Sequence, residues 1–499
     1  MRENMLSNKL KEAREYERKY LEEKGLDDRP LFHATGTVGW INDPNGFCRY
    51  NDEYHLFYQY YPYDRHWGPM HWGHSVSKDL IKWQYLPCAI APDEEYDKDG
   101  CFSGSAIETS DGKLLLVYTG VIKKEEADGT ERDYQQQCVA IGDGVDFEKV
   151  EINPVIPTEM IPAGNDIHDF RDPKIIKNGD KYYCFTVNRH ADNSGQVLVY
   201  ESTDGLKWSF AKVLDMSENK VGGIWECPDY FDLDGKRILI VSPQETKGDG
   251  ENIFPGFNNF FLVGQGKDFL DFNRQTVQPI DLGTDFYAAQ TVETADGKRV
   301  MIGWMQNWET CNYENDKHDY YGMMTMPREL RIKDGIVYQN PLKELSNYYK
   351  DKVSYNNVVV EKEISLDKIS GRIFDMTLDI TPEDKAKSYD FGIKLAKDLN
   401  YETTIVYDSK HHTITLDRNK SGVTFGSLGS RTFKVDSADN HIKLRIVMDK
   451  YALEVFVNYG KQAAAMKIDT PIQAEDISFF SDEKLSMNIV KYDFDLTKF

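Results

Sequence analysis

At 499 residues the chain is longer than one ordinary hydrophobic core fills, so two domains are expected. Hydrophobic residues at 40 % and charged residues at 29 % describe a folded, water-soluble protein rather than a disordered one, and no apolar stretch approaches the roughly 18 residues that a bilayer requires. A net charge of −23 repels phosphodiesters and argues against a nucleic-acid partner.

The first residues, Met1 to Gly25, are dense in Lys, Arg and Glu and hold no apolar core segment, unlike a secretory signal. Residues 4–24 read as one helix, with Leu6, Leu10, Ala13, Tyr20 and Leu21 near one face and Gly25 as its stop. This helix belongs to an N-terminal extension, residues 1–30, read as a packing or solubilising segment. Seven cysteines stand singly, with no CxxC pair or short His/Cys cluster. No metal or cofactor is therefore expected, and reduced thiols fit a cytoplasmic protein.

From residue 31 to 345 the sequence repeats. Apolar strands are expected at Tyr54–Tyr60, Leu114–Val121, Lys181–Arg189, Lys236–Gln244 and Arg299–Gln306, at intervals of about 60 residues. Four of them follow a tight-turn dipeptide: Asp111-Gly112, Gly179-Asp180, Asp234-Gly235 and Asp296-Gly297. Later in each unit an aromatic recurs, Trp83, Phe147, Trp208 and Phe272, at spacings of 64, 61 and 64 residues. Units of this length, rich in short strands and turns, match four-stranded blades. A five-bladed β-propeller is expected, with the recurrent aromatics packing blade on blade.

Residues Asn340 to Tyr349 read as a short helical connection. Strands without the repeat follow at Phe374–Ile380, Phe391–Leu395, Glu402–Tyr407, Thr413–Leu416, Ile442–Met448, Leu453–Asn458 and Ile477–Ser481, which suggest a β-sandwich over residues 346–499. The fold class is all-β, a five-bladed propeller followed by a sandwich, with a short N-terminal helix.

The openings of the five units read Asn42-Asp43-Pro44, Phe102-Ser103-Gly104, Arg171-Asp172-Pro173, Glu226-Cys227-Pro228 and Tyr287-Ala288-Ala289. A lone Asp-Pro-Asn-Gly is a turn former. In a propeller, however, equivalent positions of different blades meet at one end of the axis. Asp43, Asp172 and Glu226 are then expected to face one another, beside Arg171, Ser103, Asn42 and Tyr287. Like charges held together must be solvated, paired or used. Two carboxyls suffice to hydrolyse a glycoside, one as nucleophile and one as acid. Repulsion is expected to hold the proton on Glu226, with Asp172 ionised by its neighbour Arg171. Gln59 is polar among aromatic neighbours and suits a hydroxyl contact. The indoles Trp40, Trp67, Trp72, Trp225, Trp304 and Trp308 lie within or just beyond these motifs, where they could stack on a sugar ring.

Together, Trp40–Gly46, Phe57-Tyr58-Gln59, Cys101–Ser105, Phe170–Pro173, Trp225–Asp229 and Asp285–Ala288 resemble glycoside hydrolase family 32, the β-fructofuranosidases. The resemblance runs from about His33 to the end. It implies a propeller joined to a sandwich, with Asp43 as nucleophile, Asp172 as transition-state stabiliser and Glu226 as acid/base. It also implies Asn42, Gln59, Trp67, Phe102, Ser103, Arg171 and Tyr287 as fructose-binding residues, and Cys227 as the thiol beside the acid/base. Two stretches depart from the family pattern: Ala34-Thr-Gly-Thr-Val38, and the acidic, tyrosine-rich insertion between Trp308 and Tyr321. The expected function is retaining exo-hydrolysis of terminal β-D-fructofuranosides: sucrose, its 6-phosphate or short fructo-oligosaccharides. The rivals are a fructosyltransferase using the same intermediate, an inverting pentosidase, and a non-catalytic sugar-binding propeller. The expected partner is a small sugar, with no nucleic acid and no membrane. A homo-oligomer stays open, the helix and the sandwich both offering contact surfaces.

Overall fold

In the computed structural model, residues 6–311, 318–385, 387–422, 428–437 and 440–499 are described, and their regular structure is mostly β. Helix α1 spans Asn8–Glu23, capped by the Ser7 hydroxyl on the Leu10 N–H. Part of the expected helical stretch, residues 4 and 5, lies outside the described residues. The inward face also differs from expectation. Leu10, Ala13 and Glu17 are buried, whereas Leu21 is exposed. The cause is the surface that α1 covers, the edge strand Gln84–Ile90 of the first sheet. Glu17 accepts the Cys88 N–H at 2.9 Å, and Arg14 Nε donates to the Cys88 carbonyl at 2.9 Å. The helix thus satisfies backbone groups that an uncovered edge would leave open to another chain.

Five antiparallel sheets follow. Their first strands are β1 (Gly39–Tyr50), β2 (Gly100–Glu108), β3 (Phe170–Asn178), β4 (Trp225–Leu233) and β5 (Tyr287–Glu293). Each leads a sheet of four strands, and Tyr320–Tyr321 adds a fifth, parallel to β1. Each first strand packs on the next, and β5 packs back on β1. Phe147 of the second sheet meets Phe57 of the first at 5.7 Å between ring centres, a contact of the kind expected of the recurrent aromatics.

The chain then passes through a 3-10 turn, Lys343–Tyr348, into two further sheets. One orders its strands Tyr349–Val360, Leu485–Phe494, Ile373–Pro382, Ile442–Asp449, Ala452–Val457, Gln462–Lys467; the other runs Ser430–Lys434, Thr413–Lys420, Glu402–Asp408, Asp390–Lys397, Asp476–Ser481. They share one apolar core that includes Phe374, Met376, Phe391, Ile405 and Ile446. All seven strands expected here are present. Four more are Tyr349–Val360, Ser430–Lys434, Gln462–Lys467 and Leu485–Phe494.

The two halves are locked by charges taken fully out of water. His33 lies between Asp449 and Glu454, 3.0 Å from each, and Arg328 joins Glu454 at 2.6 Å to Asp281 at 2.8 Å. Arg418 reaches across to Asp285 at 2.5 Å, two residues before Tyr287. Burial alone would lower the His33 imidazole, but its two carboxylates hold it up at about 9.

Candidate active site

Every first strand breaks its ladder at the same height. The pairing slips between Ile41 and Pro44, Phe102 and Gly104, Arg171 and Lys174, Glu226 and Asp229, and Tyr287 and Gln290. These are β-bulges, which re-aim side chains out of the pleat. Asp172, Cys227 and Ala288 take φ values of 60°, 48° and 56° at their centres. In β2 the slip needs Gly104, because a Cβ there would sit 2.0 Å from the Val117 carbonyl oxygen. The Asp-Pro-Asn-Gly motif is therefore strand interrupted by bulges, not a turn between strands. By register Glu226 matches Ile41, Phe102, Arg171 and Tyr287, while Asp172 matches Asn42. The expectation that Asp43, Asp172 and Glu226 hold one repeat position is thus corrected. They converge because the bulges turn them inward from neighbouring positions.

The convergence is continuous, contact by contact. Ser103 Oγ donates to Asp43 Oδ2 at 2.6 Å, and the Asn42 amide donates to Asp43 Oδ1 at 3.2 Å. Asn42 itself is held by the Trp40 indole N–H at 2.8 Å. Cys227 Sγ lies 3.5 Å from Asp43 Oδ2 and 3.7 Å from Asp172 Oδ2, and the Cys227 N–H donates to Asp172 Oδ2 at 3.0 Å. Arg171 Nε is 3.9 Å from Asp172 Oδ2 and 3.2 Å from Glu226 Oε1, and Nη2 reaches the same Glu226 oxygen at 3.1 Å. The Tyr287 hydroxyl donates to Glu226 Oε2 at 2.6 Å.

Burial pushes the Asp43 carboxyl up to about 6; Ser103 opposes this and Glu226 adds to it. Burial pushes Asp172 up to about 7, with Arg171 opposing and Glu226 and Asp43 adding. Two expectations change here. Arg171 does not pair chiefly with Asp172; its guanidinium is spent on Glu226 and, at 2.7 Å, on Asp169. The cation expected beside Asp172 also lies closer to Glu226, and burial more than mutual repulsion holds Asp43 and Asp172 up.

Of the other expected contacts, Phe102 and Trp67 meet edge to face at 5.8 Å, and Trp67 is 43 % exposed, free to meet a ligand. Gln59 is buried and gives its amide to the Cys101 carbonyl at 3.0 Å, so it braces the strand beside Phe102. Trp304 is 0 % exposed, packed against Trp40 and Trp308, out of a sugar's direct reach. Trp40, Trp72 and Trp225 are likewise core.

Residues 33–341 match the Glycosyl hydrolases family 32 N-terminal domain, and residues 344–495 match the Glycosyl hydrolases family 32 C terminal. The chain belongs to glycosyl hydrolase family 32. Among its relatives, the sucrose-6-phosphate hydrolase of Escherichia coli is 32 % identical over 97 % of this chain and 98 % of its own. The raffinose invertase of Escherichia coli is 31 % identical, over 91 % and 92 %. The solved GH32 beta-fructofuranosidase of Bombyx mori superposes with a TM-score of 0.81 at 31 % identity, covering 98 % of this chain and 99 % of that one.

In this family 32 chain the site rests on residues that the motifs did not mark. Thr119 Oγ1 receives the Asp172 N–H at 3.0 Å, which fixes the strained residue. Gln135 Oε1 accepts from both the Phe170 N–H and Arg171 Nη1, and Gln290 ties the Phe47 N–H of β1 to the Gly104 carbonyl of β2. The run Gln135-Gln136-Gln137, set directly before the apolar Cys138–Ile141 in the same strand and partly buried with it, was a readable signal for the first of these. The insertion between Trp308 and Tyr321 falls largely on residues 312–317, outside the described residues.

Proposed function

We propose that this protein is a retaining, exo-acting β-fructofuranosidase. Its substrates are sucrose, sucrose 6-phosphate or short fructo-oligosaccharides. The five sheets are the blades of a propeller over residues 31–345, followed by a sandwich over 346–499. Within the extension 1–30, helix α1 packs on the first blade. Support for the blades comes from the closed succession β1 to β5, and for the boundary from the turn Lys343–Tyr348 that separates the two sheet systems. No helix among the described residues is long and apolar enough to cross a membrane. All seven cysteines are buried, which suits a chain kept in a reducing cytoplasm.

One observation carries the reading. A single thiol touches Asp43 and Asp172, while a single guanidinium spans Asp172 and Glu226. One anomeric carbon can then meet carboxyls from two sides. Asp43 Oδ attacks C2 of the fructosyl unit, the bond from C2 to the leaving oxygen breaks, and the Glu226 proton moves to that oxygen. The product is an ester on Asp43. Water then attacks C2, gives its proton to Glu226, and frees fructose and the Asp43 carboxylate. Asp172 stays beside C2 and its hydroxyls, where a negative charge stabilises the oxocarbenium-like transition state. The first step needs Asp43 ionised to attack and Glu226 protonated to donate. Asn42, Ser103, Arg171 and Tyr287 orient these groups, and Phe102 and Trp67 form the apolar wall.

The reading is tested by the anomer first released from sucrose, followed by NMR before mutarotation. β-Fructofuranose is expected; α-fructofuranose would replace the mechanism by an inverting one.

A further inference from the structure

Outside the first sheet, helix α1 and the loop after strand Glu53–Tyr61 enclose an open cleft of about 580 Å³. That volume lies within the range of small-molecule sites. Three tyrosines line it, Tyr16 and Tyr20 from the helix and Tyr63 from the loop. Tyr16 is 42 % exposed and Tyr63 is 38 % exposed, with their rings edge to face at 5.3 Å. Both rings thus keep apolar surface open at the cleft, which the C–H face of a ligand would cover. Lys24, Asp64 and His66 add donors and acceptors of both signs around the rings. The loop holds its own shape, because Asp64 Oδ1 accepts from the His66 N–H at 3.0 Å and lies 2.7 Å from its Nδ1.

The same loop carries Trp67, whose exposed indole stands edge-on to Phe102 at the catalytic funnel. Tyr63 and Trp67 are four Cα–Cα steps apart, so their Cα atoms are at most about 14 Å from each other. One short loop therefore presents one aromatic to the funnel and another to the cleft. Flat apolar rings beside mixed, nearly balanced charges suit a neutral polyol with C–H faces and hydroxyls. A phosphate would need a net positive lining, and Glu23, Asp64 and Asp319 in the walls offset Lys24 and Arg65.

We propose that this cleft is a second carbohydrate subsite. It takes the sugar units of an oligosaccharide farthest from the bond being cleaved, with Tyr16 and Tyr63 as the stacking platform. The inference rests on the fructofuranosidase reading. A chain whose terminal fructosyl unit fills the funnel leaves over Trp67 and settles against helix α1. Sucrose is too short to reach the cleft and does not use it.

The test compares kcat/KM for sucrose and for a long inulin-type oligosaccharide, with the full chain and with Tyr16→Ala and Tyr63→Ala. Loss of a stacking face is expected to lower the value for the long sugar about three- to tenfold, through KM, while sucrose stays within about twofold. Tyr63→Phe keeps the ring and is expected to keep most of the long-sugar rate. Equal losses on both substrates would make the tyrosines a packing contact and overturn the proposal, as would no loss on either. Calorimetric titration of the long sugar into Glu226→Gln protein, with and without Tyr63→Ala, reads the cleft without turnover. Tighter binding by the protein that keeps Tyr63 supports the subsite, and equal binding overturns it. If the wild-type protein cleaves neither sugar, the fructofuranosidase reading fails, and the titration still decides the cleft.

Discussion

Replacing Ser103 by alanine removes one hydroxyl from the floor of the site. That hydroxyl donates to Asp43 Oδ2 at 2.6 Å, and burial already holds the Asp43 carboxyl up at about 6. A hydrogen bond to a charged group is worth about 1.5–3 kcal/mol, and each pKa unit corresponds to about 1.4 kcal/mol. The hydroxyl favours the ionised form, so its loss raises Asp43 by about one to two units. Attack on C2 requires the carboxylate, so the acid limb of kcat/KM against pH should move upward by the same amount. At pH 6 the ionised fraction of Asp43, and with it kcat/KM, should then fall by about five- to fiftyfold. The three carboxyls share one field, so the limb belongs to the cluster and its displacement is the quantity to read. Ser103→Thr keeps the donor and should leave the limb in place. A Ser103→Ala profile that superposes on the wild type after scaling, or moves to lower pH, would refute the reasoning.

Three further outcomes follow from the same geometry. Glu226→Gln keeps the shape beside Tyr287 but carries no acid proton, so turnover of sucrose should fall by about 10²–10⁴, and much less on a fructoside with an aryl leaving group. Arg171→Lys keeps the charge but loses the fork that reaches Glu226 and Asp169, so kcat should fall on the order of tenfold or more while the melting temperature moves little. His33, held up at about 9 against about 6.5 unfolded, binds its proton more tightly when folded. Its contribution, on the order of 3 kcal/mol, is complete below about pH 6.5 and is lost as pH rises through about 9. Melting temperatures measured from pH 6 to 10 should show that decline in the wild type, and a shallower one in His33→Gln.

Much of this architecture could be read from residues. The turn dipeptides and the 60-residue spacing pointed to five sheets, and the strand Lys181–Arg189 was expected with its observed bounds. The unit openings pointed to the three carboxyls that the structure brings together. What escaped is set by tertiary context. Tyr349–Val360 is an edge strand with a mostly exposed, charged surface, so its apolar alternation is weak. Gln462–Lys467 is rich in alanine, a poor strand former, yet nearly all of it is buried in its sheet. Glu17 was legible only as one more helix charge, because its partner is a backbone N–H more than seventy residues away. The register of Asp43 has the same origin: the unit openings set it level with Asp172, whereas the pairing sets Asp172 level with Asn42, since a bulge adds a residue to one strand without any mark in composition. Trp304 could not be told from Trp67 by sequence, although one is core and the other lines the rim.

The claim on which the account turns is that Asp43 becomes the ester while Glu226 moves the proton. Acid quench of Glu226→Gln protein during turnover of an aryl β-fructofuranoside, followed by peptide mass spectrometry, tests it most directly. The account predicts one added fructosyl unit on the peptide that holds Asp43, absent from Asp43→Asn protein. An adduct on Asp172, or rapid turnover with no adduct in the Glu226→Gln protein and undiminished turnover by Asp43→Asn, would contradict it.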